Sequence, residues 1–284
     1  MPDFSDILLT VDYDRTLTAP DSTVPARNME AIRYFMEHGG TFTINTGRSV
    51  PMARPLLGKI PVNAPLLLYN GSAAFDTETE RLDFCHLIPL PMQETIEETI
   101  ALFPDLTVEV QGVDAHYCFS ENKPWDDFSQ HNNCAWKHAA TSDDIGPFLK
   151  FSLYGELRDV TVASLYDASE EEMQRMNQVE QILKDRYGAY CEVFRAAPRI
   201  IDVHTKGVSK ARSARELQQR LGKKWLVCVG DAHNDLQMLT EADFAFVPAD
   251  AILADRFANV CPCGEGAVAD VIYEKIPEIL ANNP

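Results

Sequence analysis

The sequence predicts a doubly wound, Rossmann-like α/β core on a parallel sheet, with an α+β domain inserted into it. Three observations carry that expectation. Apolar, strand-length runs alternate with helical stretches near both ends of the chain. The texture between them changes to short alternating runs. Acid pairs close two of the apolar runs, at the strand ends where open α/β sheets bind ligands.

Residues 7–11 (ILLTV) have the length and β-branched content of a buried parallel strand, and they run straight into Asp12-Tyr13-Asp14. Residues 25–38 read as a helix: Pro25 suits its first turn, Met29, Ile32, Phe35 and Met36 form its apolar face, and Gly39-Gly40 stops it. Residues 41–46 form the next strand, ending in Thr46-Gly47-Arg48, and residues 65–69 (PLLLY) a third. From about Ala73 the runs shorten and alternate, at 115–120, 149–154, 191–194 and 199–204, with helical stretches near 91–103 and 169–186. Half-buried alternation of this kind predicts a sheet with one open face. The first texture then returns, with a helix at 209–221, a buried strand at 225–229 ending in Gly230-Asp231, and a closing helix near 268–280. The expected organisation is a discontinuous core, residues 1–83 and 205–284, around a cap of residues 84–204.

The 284 residues are 45% hydrophobic, enough for a sizeable core, and no apolar run reaches the ~20 residues of a membrane helix. Asp3 and Asp6 stand where a secretory signal has a basic region, so none is expected. A net charge of −18 argues against nucleic acid and membranes as partners. Seven scattered cysteines suggest reduced thiols and a cytoplasmic location. Monomer and homo-oligomer stay open.

Four signals at strand ends or helix starts bear on chemistry. Asp12 and Asp14 offer paired carboxylates, costly at a buried strand end unless a hard cation such as Mg²⁺ joins them. Thr46-Gly47 offers a hydroxyl and a glycine that lets backbone approach a ligand. Val208-Ser209-Lys210 puts a lysine in the first turn of a helix, a position opposed by the helix dipole unless an anion faces it. Gly230 to Asp235 (GDAHND) supplies a second acid pair, Asp231 and Asp235. Together these provide what phosphoryl transfer requires: metal-binding carboxylates, groups that neutralise phosphate oxygens, and a carboxylate nucleophile.

The stretches DYDRTLT, NTGR, GVSK and GDAHND resemble, in order and context, the four motifs of the haloacid dehalogenase-like (HAD) superfamily. The large insert between the second and third, with HTKGVSKARSARELQQRLG and CVGDAHNDLQML, resembles the Cof-type (subfamily IIB) phosphatases. The resemblance spans both core segments, whereas the insert matches only in position and size. It implies that Asp12 attacks phosphorus to give an aspartyl-phosphate and that Asp14 serves as acid, then base. It implies Mg²⁺ held by Asp12, the Asp14 main-chain carbonyl and Asp231, with Asp235 close behind. Thr46, Gly47 and Lys210 bind phosphate, Asn234 orients that network, and Arg15 and Arg48 are assigned to the substrate entrance. Arg15 departs from the family pattern, which commonly has glycine there. A φ above zero at that position strains arginine; the expectation is that the backbone tolerates it and the guanidinium points toward the cap or substrate mouth. Ala211 after the lysine is read as harmless.

Other signals are set aside. Residues 264–269 (GEGAVA) fit a dinucleotide fingerprint on paper, but no strand with an acidic residue about 20 positions on follows. Cys261-Pro262-Cys263 is too close for an unstrained disulfide and reads as structural. His131, Cys134 and His138 lack a fourth zinc ligand at useful spacing. Trp125, Phe128 and Trp136 read as cap core, and His204 as structural. The expected function is Mg²⁺-dependent hydrolysis of a small phosphomonoester, most plausibly a sugar phosphate. A phosphotransferase or mutase, and a catalytically idle phosphate-binding regulatory module, are the alternatives.

Overall fold

The computed structural model describes residues 2–56 and 58–283. They form two compact units: Met1–Gly47, Leu56–Phe84 and Ser209–Pro284 in one, Arg48–Pro55 and Cys85–Val208 in the other.

The first unit is organised on a five-stranded parallel sheet. Its spatial order is Ala258–Val260, Phe244–Pro248, Trp225–Val229, Ile7–Val11, Thr41–Ile44. Every residue of Ile7–Val11 is buried, as the unbroken apolar run requires of a central strand covered on both faces. The chain leaves this strand toward Thr41–Ile44 and later returns on its other side as Trp225–Val229. The order therefore reverses between Ile7–Val11 and Trp225–Val229, whose last residues, Val11 and Val229, are in register. That reversal is the topological switch point, where a crevice opens at the carboxyl ends of the strands.

The expected third parallel strand is corrected. Leu66–Leu68 touches the parallel sheet through one bridge, Asn45 to Leu67, and pairs antiparallel with Ala73–Asp76 in a separate three-stranded sheet. Side chains have taken over the edge of Thr41–Ile44 beside it. Asn63 Oδ1 accepts from Phe42 N at 2.8 Å, and the Thr43 hydroxyl donates to Pro65 O at 2.6 Å.

Two helices frame the crevice. Ala26–Glu37 begins one residue after Pro25. Lys210–Leu221 starts at Ser209, whose hydroxyl accepts from Arg212 N at 3.2 Å, and ends at Gly222 with φ 63°. Ala211, Ala214 and Leu217 bury its inner face beside Leu8 and Leu226. The closing helical stretch runs from Ala267 to Asn282, continuous through a wider turn at Val271–Lys275.

The second unit is a six-stranded sheet ordered Cys191–Ala197, Ile200–Thr205, Lys150–Tyr154, Thr107–Gln111, His116–Cys118, Trp136–His138, antiparallel except for its last pair. One face, with Val108, Val110, Phe151, Leu153, Ile201 and Val203, packs on the helices Met92–Leu102 and Glu170–Tyr187. The opposite face was expected to be open. It carries Glu109, Gln111, Lys150, Ser152 and Asp202, all buried. The helix Lys123–His131 is part of its cover, through Trp125, which donates to Glu109, and Phe128, whose ring meets that of Tyr154. The interior of this layer is paired polar groups, so apolar alternation in Thr107–Gln111 marks only the opposite face, through Val108 and Val110, and Lys123–His131 has only Trp125 and Phe128 to mark its inner side.

Candidate active site

The site is built at the switch point. Asp12 N continues the parallel ladder to Val229 O at 2.9 Å, so the Asp12 carboxylate is fixed by the sheet. The next five residues, Tyr13–Leu17, make a wide turn closed by Leu17 N to Asp12 O at 3.2 Å and Thr18 N to Tyr13 O at 3.1 Å. Arg15 occupies its crest at φ 60°, ψ 13°, the left-handed region. The backbone does demand the conformation that glycine adopts without cost, and an exposed arginine holds it. Its amide donates to the Thr18 hydroxyl at 3.2 Å, which anchors the turn.

Lys210 is the centre of the charged cluster. Its Nζ donates to Asp12 Oδ1 at 2.5 Å and to Asp235 Oδ1 at 2.7 Å, all three side chains being buried. Asp235 Oδ2 accepts the amides of Asp231 (3.1 Å) and Ala232 (3.2 Å), which folds the acidic loop back on itself. Gly230 makes that fold possible: a Cβ there would lie 2.6 Å from Asp235 Cβ. Gly71, at φ 96°, serves the lysine similarly, because a Cβ on it would fall 2.3 Å from Ser209 O. Thr16 donates to Asp231 Oδ1 at 3.2 Å. Asn45, which the sequence reading passed over, donates to Lys210 O at 2.8 Å and pins the first turn of the helix. Its only sequence signal is its place before Thr46.

Asp12, Asp231 and Asp235 each present a carboxylate oxygen within 4.8 Å of the others, the one such group among the described residues. Three buried carboxylates face one ammonium. Burial and the charge of Asp235 raise the Asp12 pKa well above the ordinary carboxylate value, against the pull of Lys210. Burial, then Asp235, pushes Asp231 up to about 6. For Lys210, burial favours the neutral amine, but Asp12 and Asp235 outweigh it and its pKa is raised. The cluster is short of positive charge, and its all-oxygen donors suit a hard divalent cation.

The other expected site residues are placed as follows. Asp14 is exposed in the Tyr13–Leu17 turn, outside the carboxylate cluster. Thr46 is buried at the end of its strand, its amide bonded to Leu67 O and its carbonyl to Asn70 N. Gly47 closes that segment of the first unit, and Arg48 opens the next segment in the second unit. Asn234 is exposed in the acidic loop. His138 is bonded to Ser120 O and to Asp126. All seven cysteines are free. Trp125 and His204 are fully buried, the latter stacked on Phe194.

Residues 9–253 match the family described as haloacid dehalogenase-like hydrolase. The chain belongs to that family. Its core and inserted sheet also match solved members. One is a haloacid dehalogenase-like hydrolase from Bacteroides thetaiotaomicron (TM-score 0.78, 21% identity, 95% of this chain and 98% of that one). Another is a HAD subclass IIB sugar phosphatase (TM-score 0.69, 18% identity, 96% and 98%). At these identities the likeness establishes the HAD fold, a parallel core with a separate, largely antiparallel inserted sheet. Among curated relatives is the 5-amino-6-(5-phospho-D-ribitylamino)uracil phosphatase of Bacillus subtilis, 21% identical over 257 residues (86% of this chain, 84% of the relative). The HMP-PP phosphatase of Serratia proteamaculans is 22% identical over 269 residues (92% of each).

Proposed function

We propose that this HAD-family enzyme is a Mg²⁺-dependent phosphomonoesterase acting on a small phosphorylated metabolite, with a sugar phosphate as the leading class. The observation that carries the reading is the buried Asp12–Lys210–Asp235 relay beside Asp231 at the switch point. Asp12, Asp231 and the Asp14 carbonyl would hold Mg²⁺, with Asp235 close behind, and the ion would supply neutralisation of phosphoryl charge there. Asp12 attacks phosphorus with a carboxylate lone pair, and the P–O bond to the leaving alcohol breaks. Asp14, exposed in its flexed turn, gives that oxygen a proton. The resulting Asp14 carboxylate takes a proton from water, whose oxygen attacks the aspartyl-phosphate and releases phosphate, regenerating Asp12. Lys210 keeps Asp12 aimed and offsets charge on the transferring group, assisted by Thr46 and Gly47, with Asn234 orienting that network; Arg15 and Arg48 are assigned to the substrate entrance. The second unit acts as the cap.

The sugar-phosphate preference is supported by the solved sugar phosphatase and by the phosphorylated ribityl substrate named for the Bacillus subtilis relative. Seven free cysteines support a cytoplasmic location, and no helix among the described residues is long and apolar enough to cross a membrane. The test is phosphate release from a panel of small phosphomonoesters with Mg²⁺, beside EDTA and Asp12→Asn. Metal-dependent release, lost in the variant, is expected; release that survives both controls refutes the reading.

A further inference from the structure

Asn45 directly follows the strand Thr41–Ile44 and is fully buried. Its amide donates to Val11 O at 2.9 Å, at the residue before Asp12. Its Nδ2 donates to Lys210 O at 2.8 Å. One residue therefore ties the strand that leads into Asp12 to the helix turn that carries Lys210, and all of these groups lie in the first unit. Burial alone does not call for a carboxamide here. Nδ2 also lies 3.4 Å from Met238 Sδ, a weak acceptor, and Oδ1 is buried with no hydrogen-bond partner among the described residues. A buried acceptor left unpaired destabilises a fold, and leucine, with the same branching and no polar atom, avoids that loss. The Lys210 carbonyl does not depend on the bond either, because the Ser213 hydroxyl donates to it at 3.1 Å.

What the bond fixes is the point from which the lysine reaches. Lys210 Nζ ends a flexible four-carbon stem, so its place is only as definite as that of its own main chain. Here Nζ is held 2.5 Å from Asp12 Oδ1 and 2.7 Å from Asp235 Oδ1. The turn Tyr69–Gly71 closes on the same helix start, with Gly71 packed so near that a Cβ would fall 2.3 Å from Ser209 O. Asn45 supplies the polar half of this clamp. Groups that act on one reaction must be held in register, and a 1 Å misplacement costs about a hundredfold in rate. We propose that Asn45 is a positioning residue that registers Lys210 against Asp12 for phosphoryl transfer, and that its carboxamide lowers stability in doing so. The inference rests on the phosphatase reading for the reaction, and on contacts within the first unit for the geometry. Asn45 acts through Lys210 and is not argued to touch substrate.

Asn45→Leu removes the donor and the unpaired acceptor together, and Asn45→Ala does so without added bulk. Three quantities are measured on the full chain with Mg²⁺: KM and kcat with a phosphomonoester, the melting temperature, and the ¹⁵N NMR signal of the Lys210 ammonium, identified by its absence from Lys210→Met. A buried ammonium bonded to two carboxylates exchanges its protons slowly enough to be seen, and a loosened one does not. For Asn45→Leu kcat should fall about tenfold, with KM within about twofold and a melting temperature equal to or above native. The Lys210 signal should broaden or vanish, and Asn45→Ala should show the same split between kcat and KM. Native kcat in the folded variants overturns the proposal, as does a loss of kcat beside an unchanged Lys210 signal. A lower melting temperature in both variants makes Asn45 merely structural and also overturns it, and so does native protein without a Lys210 signal. Native protein that turns nothing over retires the phosphatase reading, while the Lys210 signal still decides whether Asn45 registers the lysine.

Discussion

Replacing Lys210 with methionine exposes how the charged cluster is held together. In the native protein its ammonium lies 2.5 Å from Asp12 and 2.7 Å from Asp235, with Asp231 in the same cluster. Methionine fills a similar volume and leaves three buried carboxylates without a cation. Removing one partner of a buried pair costs about 3–5 kcal/mol. At about 2–4 °C per kcal/mol for a chain of this size, metal-free Lys210→Met should melt roughly 6–20 °C below the native protein near pH 7. The loss should shrink on acidification, and the sign is fixed by the direction of the shifts. Asp12 is raised by burial and Asp231 sits at about 6 against an ordinary value of 3.8, so the folded state binds protons more tightly than the unfolded chain. Stability tied to these groups is present at low pH and is lost as pH rises through about 6 for Asp231. Without the lysine that slope steepens. Thermal melts in EDTA at pH 5 and 7, repeated with Mg²⁺, provide the assay. A variant that melts within about 2 °C of native at pH 7, or whose deficit neither acid nor Mg²⁺ relieves, refutes the reasoning.

Four further outcomes are expected. Mg²⁺ affinity, read by calorimetry, should rise with pH through about 6 as Asp231 loses its proton, and a flat profile contradicts that ligand assignment. Gly230→Ala forces a Cβ to 2.6 Å from Asp235 Cβ, so kcat/KM should fall about a hundredfold even where circular dichroism shows a native fold. Arg15→Gly relieves a left-handed arginine at φ 60° and should stabilise the chain by up to about 1 kcal/mol in urea melts, net of glycine's entropy. In the second unit burial would raise Glu109, but His116, Trp125 and Gln111 outweigh it and hold it at about 2. Its contribution is therefore lost as pH falls from about 4.5 toward 2, and Glu109→Gln should flatten acid unfolding in that window.

The core and its charged cluster were legible in the sequence because they follow local rules. A run such as ILLTV is too apolar to sit anywhere but a covered strand. Acids placed directly after two such strands must meet at the switch point of an open sheet. The lysine of GVSK was legible as a charge out of place at a helix start. The inserted unit was harder to read, because it replaces hydrophobic contacts with paired polar ones. In TVEVQ the alternation of Val108 and Val110 marks only the apolar face, and Lys123–His131 offers just Trp125 and Phe128 among polar residues, so each signal is short and silent about the polar layer. Tyr154, which donates to Glu109 and meets Phe128, lies far along the chain, and only strand pairing brings it there. The bond from Asn45 to Lys210 was hidden for the same reason. The short Leu66–Leu68 strand misled in the other direction: its composition is that of a parallel core strand, and the side-chain bonds of Asn63 and Thr43 at the sheet edge have no signature in sequence.

The central claim is that Asp12 is the nucleophile, and trapping tests it most directly. Native protein with Mg²⁺ and a turned-over phosphomonoester is quenched in acid, digested and analysed by mass spectrometry, beside Asp12→Asn. The account predicts a phosphoryl group on Asp12 in the native protein and on no residue of the variant. Rapid turnover with no phosphoryl group on Asp12, or one carried by a different side chain, contradicts it.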